Sequence, residues 1–493
     1  MKPTRRSLLL AAGGGCLLSA LGCSPGEALS TLVSDKTVTA YSPPDQAGID
    51  LVGHVLNRCT FGARPGDRAA LFAVGATPEL AVDAWLERQL DAGAINDAPC
   101  ERQVRRYDSL GEPLGELYEY RPRLLLRELT SATVLRAAQS ERQLHEVMVE
   151  FWSDHFSIDI SKGECAWLKV GDDREVIRRH ALGSFPAMLK ASALSPAMLW
   201  YLDGRANRAE HPGQKANENY ARELMELHTL GVHGGYTQQD VMEAARCLTG
   251  WTVRDKHGFF KARVEFHAEA HDDGEKLVLG RVIPAGLGGK DLDLLLDRVA
   301  HHPATARFIA GKLCQRFIAD EPPAAAVNAV ATAFVASAGD IRSTLRALFR
   351  TAEFRADPAL RGIRLKRPFH YLVSCLRVLD ADSDARPALT DYLGRMGHAP
   401  FQHPTPDGYP LAGDAWTGTL MWRWHLATAL ARNRVAGTRI DVAALSTRLG
   451  DPARLTAHVL GRLPNAEERA LLSTTVGEDA LALLLTSPAF QRC

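Results

Sequence analysis

The 493-residue chain lacks the short signatures of the commonest enzyme chemistries. No GxGxxG opens a helix and no GxxxxGK followed by Ser or Thr occurs, so neither phosphate-cradling loop is present. No HExxH supplies a zinc protease, and no CxxCH a covalent haem. Gly286-Leu287-Gly288-Gly289-Lys290 lacks the glycine spacing and the hydroxyl residue of a phosphate loop and reads as a flexible connection. An excess of one charge is missing too. Basic and acidic residues number 58 each, and without Lys2, Arg5 and Arg6 they stand at 55 and 58. That balance argues against nucleic acid, or an acidic membrane surface, as the main partner. The nine cysteines show no metal-finger spacing. Setting aside Cys16 and Cys23 leaves seven, an odd number from which no disulfide pairing follows, and they read as small buried hydrophobes.

What is present begins with a targeting segment. Thr4-Arg5-Arg6-Ser7-Leu8-Leu9 looks like a twin-arginine export signal, and the apolar run 8–22, 15 residues long, is too short to span a bilayer comfortably. Ala20-Leu21-Gly22-Cys23 resembles a lipoprotein box with Cys23 as the lipidated residue; a plain signal peptide cut after a small residue is the alternative. Residues 1–23 are therefore read as signal, and 24–45, with Pro25, Pro43 and Pro44, as a tether. Residues 46–493 are the folded part. The expected product is exported, either periplasmic or held at the outer membrane by its lipid alone.

Helical periodicity dominates the rest. Amphipathic stretches at 77–90, 114–139, 141–156, 174–182, 184–192 and 195–202, and again from 292 to the end, predict a mainly α, multi-helix domain. Its C-terminal helical part covers about 360–493. Thr237-x-x-Asp240 predicts a capped helix start. Residues 96–111 read as a polar loop. The exception to helix is 258–283, where Phe259, Phe260, Val264 and Phe266 alternate with polar residues. Leu277, Val278, Leu279 and Val282 then follow a turn at Asp272-Asp273-Gly274, so a small β-hairpin or meander insertion is predicted. The loop 397–415, carrying Pro400, Pro404, Pro406, Gly408 and Pro410, is rich enough in special residues to line a site. A weak repeat, Leu345-x-x-Leu348 through Phe354 echoed by Leu481-x-x-Leu484 through Phe490, predicts two helices that stop alike.

The densest chemistry lies in Asn217-Glu218-Asn219-Tyr220-Ala221-Arg222-Glu223-Leu224-Met225-Glu226-Leu227-His228-Thr229-Leu230-Gly231. A core helix cannot bury such a mixture without partners. Wound at about 100° per residue, it groups Asn219, Glu223 and Glu226, and brings Arg222 within reach of Glu218 or Glu226. Tyr220, Leu224 and Leu227 form the apolar stripe, with Asn217 and His228 at its edge. Glu223 is the candidate general base or metal ligand, oriented by Arg222 or Asn219; the alternative is a helix pinned by its own salt bridges. Eleven of the 17 histidines lie between His145 and His302. On 141–156, His145 and His155 share the apolar face with Trp152, whereas Glu146, Glu150 and Asp154 face the other way. His267, His271 and Asp272, with the distant Glu223, offer the oxygen and nitrogen ligands of a divalent metal site.

Five blocks of the chain resemble the DUF1800 family, bacterial exported proteins whose activity is not established. They are His54-Val55-Leu56-Asn57-Arg58-Cys59-Thr60-Phe61-Gly62, Phe151-Trp152-Ser153-Asp154-His155-Phe156, the 217–231 segment extended through Leu248-Thr249-Gly250-Trp251, His271-Asp272-x-Gly274-x-Lys276-x-x-Leu279-Gly280, and Lys366-x-Pro368-Phe369 with Thr405-Pro406-Asp407-Gly408-Tyr409-Pro410. Ser153-Asp154 departs from the family's usual Asn-polar pair, which leaves position 153 without an assigned role. The resemblance implies twin-arginine export and an exported sulfatase-like partner. Together with the residues it yields two expectations. One is an envelope hydrolase or lyase acting on a polymeric or glycan-like substrate. There Glu223 is base, His155 or His271 acid or ligand, and Arg222 a charge anchor, while Asn219, Trp152, Tyr220 and His228 contact substrate. The other is a non-catalytic, lipid-tethered binding or assembly protein.

Overall fold

Helix-forming sequence gives helices almost throughout. The computed structural model describes residues 44–211, 214–255, 261–450 and 452–493; the signal, Cys23, nearly all of the tether, Phe259 and Phe260 lie outside them. The described residues are mainly helical, with three small two-stranded antiparallel sheets. One hydrophobic core runs from Val52 to Phe490, and a satellite formed by Leu117, Leu125, Leu129 and Val170 sits beside it. Among the described residues no helix is long and apolar enough to cross a membrane. All seven described cysteines are free and buried.

Local signals set several boundaries. Thr77 caps Pro78–Leu90, and Thr237 with Asp240 forms a reciprocal capping box on Gln238–Cys247. The helices Ile341–Phe349 and Gly477–Thr486 do stop alike: Phe354 N donates to Thr351 Oγ1 at 3.3 Å and Phe490 N to Ser487 Oγ at 3.2 Å. The stretch 96–111, read as loop, contains the helix Ala98–Val104, which buries Cys100 and Val104. Asp97, just before it, accepts from Ser140 Oγ and Glu141 N, both at 2.8 Å. It thereby fixes the turn between the helices Pro122–Gln139 and Gln143–His155.

The β insertion is two hairpins and not one. Strand β1 (Trp251–Val253) pairs with β2 (Val264–Phe266), and β3 (Lys276–Val278) with β4 (Arg281–Ile283). The first strand therefore begins before the predicted boundary at 258. The second hairpin turns at Leu279 and Gly280, whose φ values of 48° and 70° are both positive, as a tight two-residue hairpin turn requires. Asp272-Asp273-Gly274 is a turn as expected, with Gly274 N donating to Asp272 Oδ1 at 3.0 Å, but it leads into β3 and does not join two strands.

Candidate functional site

The 217–231 segment does not stay an α-helix. Residues Asn219–Glu223 are α-helical, and Leu224–Thr229 winds as a π-helix. Thr229 Oγ1 donates to Leu224 O and Leu230 N to Met225 O, both five residues back. The wider turn changes the buried set to Tyr220, Ala221, Leu224, Met225, His228 and Thr229, so Leu227 leaves the predicted stripe and His228 enters the core. Gly231, at φ 80°, ends the turn where a Cβ would stand 2.8 Å from the Phe308 ring. Single π turns inside helices recur at functional sites.

That winding brings blocks from distant parts of the chain together. His155, 1% exposed at the end of Gln143–His155, uses both ring nitrogens. Its Nδ1 lies 3.0 Å from Lys312 Nζ and its Nε2 3.1 Å from His228 O. An ammonium donates, so Nδ1 accepts and the proton sits on Nε2. Burial, then the Lys312 and His228 charges, hold the His155 pKa well below the ordinary imidazole value, which keeps the ring neutral. His228 is fully buried, both its ring nitrogens lack partners among the described residues, and burial lowers its pKa to about 3.

Lys312, on the helix Pro303–Phe317, carries no mark in the sequence that sets it apart from an ordinary surface lysine. Burial lowers its pKa to about 8, against the opposing pull of Asp154 and Asp407. Glu223 is half-buried, and its pKa is raised by desolvation first and then by Glu226 and Asp407. A softened ammonium and a stiffened carboxyl thus share one acidic neighbour, Asp407, on the long loop. The loop is seated on this cluster. Tyr201 Oη donates to Pro404 O at 3.1 Å, and Ile160 N to Phe401 O at 2.8 Å. Gly408, at φ 74°, packs so tightly that a Cβ would lie 2.0 Å from Asp154 O. Gly408→Ala is accordingly expected to lift the loop, at a cost of about 1–3 kcal/mol. Protease cutting within 397–415 should accelerate roughly 10- to 100-fold. An unchanged cleavage rate would show that the glycine seat does not hold the loop.

The carboxylates facing away from the apolar side of Gln143–His155 do not face water. Arg367 donates to Asp154 Oδ2 at 2.6 Å and to Glu150 Oε1 at 2.7 Å. Arg178 forks onto Glu146, both bonds 2.9 Å, and reaches Asp173 at 3.0 Å within a second π turn, Asp173–Arg178. These four carboxylates line a cavity of about 40 Å³ closed by Phe369, Phe401 and Tyr409.

The remaining residues singled out in the sequence go elsewhere. Trp152 is fully buried and its indole N–H donates to Ala181 O at 3.1 Å; Tyr220 and His228 are also sealed, so none of these three reaches the surface. Asn219 is exposed, with Nδ2 on Leu202 O at 3.0 Å. Arg222 is taken by Glu218 and Gln238, both at 3.0 Å. His271 belongs to a separate buried group: Nδ1 meets Thr249 O at 2.9 Å, and Nε2 meets Asp291 Oδ2 at 3.2 Å. Asp272 is gripped by Arg246 at 2.6 and 2.9 Å, which lowers its pKa to about 2, and His267 turns to Glu269 at 3.1 Å. His267, His271 and Asp272 thus each have a different partner. Among the described residues no group of three or more His, Cys, Asp or Glu side chains is placed to hold a metal ion.

Neither curated proteins nor solved structures match the chain. The sequence model of the family described as "Protein of unknown function (DUF1800)" matches residues 54–492, nearly the whole length, and the chain belongs to that family.

Proposed function

We propose that this DUF1800 protein is an exported envelope enzyme performing acid–base chemistry on a polymeric or glycan-like substrate laid across the surface between residues 217–231 and the loop 397–415. The observation that carries the reading is the Lys312–His155 contact of 3.0 Å. A neutral imidazole, itself held by a backbone carbonyl, aims a lysine whose pKa is lowered to about 8. Such a lysine is a general base near neutrality, and a carboxyl with a raised pKa, Glu223, is the matching acid. His155 is then a positioning residue. Export and a lipid at Cys23 rest on the N-terminal motif.

Competitive acetylation across pH 6–10, read by mass spectrometry, tests the carrier. Lys312 should react with an apparent pKa near 8; an ordinary lysine value would sink the base assignment. On an active glycan, Lys312→Met should lose about 10²–10⁴-fold in turnover, with unchanged folding by circular dichroism.

A second reading, a non-catalytic assembly protein for an exported sulfatase-like partner, draws on Leu420, Met421 and Trp424. They stand 39%, 58% and 58% exposed on the helix that follows the long loop. Met421→Ser with Trp424→Ser would abolish partner capture on that reading and leave glycan turnover intact on the first.

A further inference from the structure

A second recess lies away from that cluster. It is a cleft of about 650 Å³ bounded by residues 47–49, Gly362 and the segment from Leu460 to Leu471. Its wall residues Leu460, Ala489 and Arg492 also line a deeper cavity of about 50 Å³. The two therefore adjoin, with the cleft as mouth and the cavity as floor. A space of several hundred cubic ångströms is the size of a small-ligand site.

Lys366, from the Lys366-x-Pro368-Phe369 block, lines the inner cavity. It is 4% exposed, and its Nζ lies 4.0 Å from the centroid of the Phe490 ring. Its ammonium makes no hydrogen bond or ion pair among the described residues. No aspartate or glutamate lines the cavity, and Arg68 on its wall is paired with Asp50. Burial lowers the Lys366 pKa to about 8, against the pull of Cys493, the last residue, and of Cys375; no aspartate or glutamate is among the charges acting on it. Arg68 lines the same cavity with its Nε unpartnered. At the shared wall, Arg492 spends one nitrogen on Ile363 O at 2.8 Å and is otherwise exposed. A buried cation without a counter-ion is costly, and an incoming anion removes that cost.

We propose that this cavity binds the oxyanion of a small organic ligand, a carboxylate or phosphate group, with Lys366 as its ion-pair partner, Arg492 at the entrance, and the ligand's remainder in the outer cleft. The outer cleft offers that remainder both apolar walls, Ile49, Leu460 and Leu471, and charged ones, Arg462, Glu467 and Glu468, so it suits a body of mixed polarity. The site shares no residue with the Lys312 cluster, so it stands or falls separately from the acid–base reading.

The test is thermal melting of the full chain at pH 7 and constant ionic strength, titrated with sodium acetate in one arm and sodium phosphate in the other. Wild type should gain on the order of 1–3 °C with saturation in at least one arm, and the responding arm identifies the headgroup. Lys366→Met should melt no lower than wild type without anion, because it removes an unpaired buried charge, and should not respond to either anion. Arg492→Gln should shift the midpoint of the titration upward about tenfold. The proposal is overturned by a wild type flat in both arms, by a Lys366→Met response equal to wild type, or by a Lys366→Met chain that melts several degrees lower with no anion present.

Discussion

Replacing Arg367 with Met is expected to cost the folded chain about 3–5 kcal/mol at neutral pH, and the cost is expected to shrink on acidification. The Arg367 side chain is 5% exposed and bridges Glu150 and Asp154, themselves 10% and 18% exposed. Removing it leaves two carboxylates crowded on one helix face with Arg316 at 3.9 Å as the nearest remaining cation to Glu150. Even with Arg367 in place, desolvation, the largest cause, sets the Asp154 pKa above its ordinary value, and Glu150 adds to the rise. A carboxyl with a raised folded pKa binds its proton more readily folded than unfolded. Its ionisation therefore penalises folding above that pKa, and the penalty fades as pH falls through it. Without Arg367 the main opposing influence disappears, so the Asp154 pKa climbs further and the relief begins at a higher pH. Urea unfolding of wild type and variant at pH 8, 6.5 and 5 should show a gap that narrows steadily. A gap independent of pH, or one below about 1 kcal/mol (the range of an exposed pair), would mean that the bridge is not the buried clamp described.

The same contacts explain what the sequence could and could not reveal. Signals confined to one turn were legible: the Thr237 cap, the Glu218–Arg222 pair four residues apart, and the matching stops at Phe354 and Phe490. Mainly helical architecture and a β insertion followed from periodicity, which depends only on which residues seek the core. The π turn was not legible. Winding at an even 100° placed Leu227 inward, whereas the observed widening belongs to tertiary packing, with His228 O accepting from His155 and Gly231 pressed on Phe308. The acid stripe Glu146, Glu150 and Asp154 was visible, but its partners Arg178 and Arg367 lie 32 and more than 200 residues away. Lys312 escaped for the same reason, and Lys366 stood out only as part of a family block, without its chemistry. A lysine becomes chemically distinct through its surroundings, and both surroundings are assembled from distant segments.

His271 takes its character from a buried pair that the sequence did not reveal, and it leads to the second large effect. Asp291→Ala is expected to destabilise the chain by about 3–5 kcal/mol. Asp291 Oδ2 receives Lys276 Nζ at 2.5 Å and faces His271 Nε2 at 3.2 Å, with all three side chains no more than 1% exposed. Lys276 also donates to the carbonyls of Asp272 and Gly274, so the group ties the turn before β3 to the start of the helix Lys290–Ala300. Removing the carboxylate strands an ammonium in the interior, and that cost exceeds the net worth of the pair, because a buried pair spends most of its attraction on desolvation. A double substitution separates the two quantities. Lys276→Met combined with Asp291→Leu should recover most of the loss, since neither variant residue leaves a charge unpaired. Denaturation of the single and double variants side by side measures it. A double variant as unstable as Asp291→Ala would assign the loss to His271 and the hairpin's hydrogen bonds instead of to the stranded lysine. Full recovery would make the charged pair a staple that an apolar pair can replace.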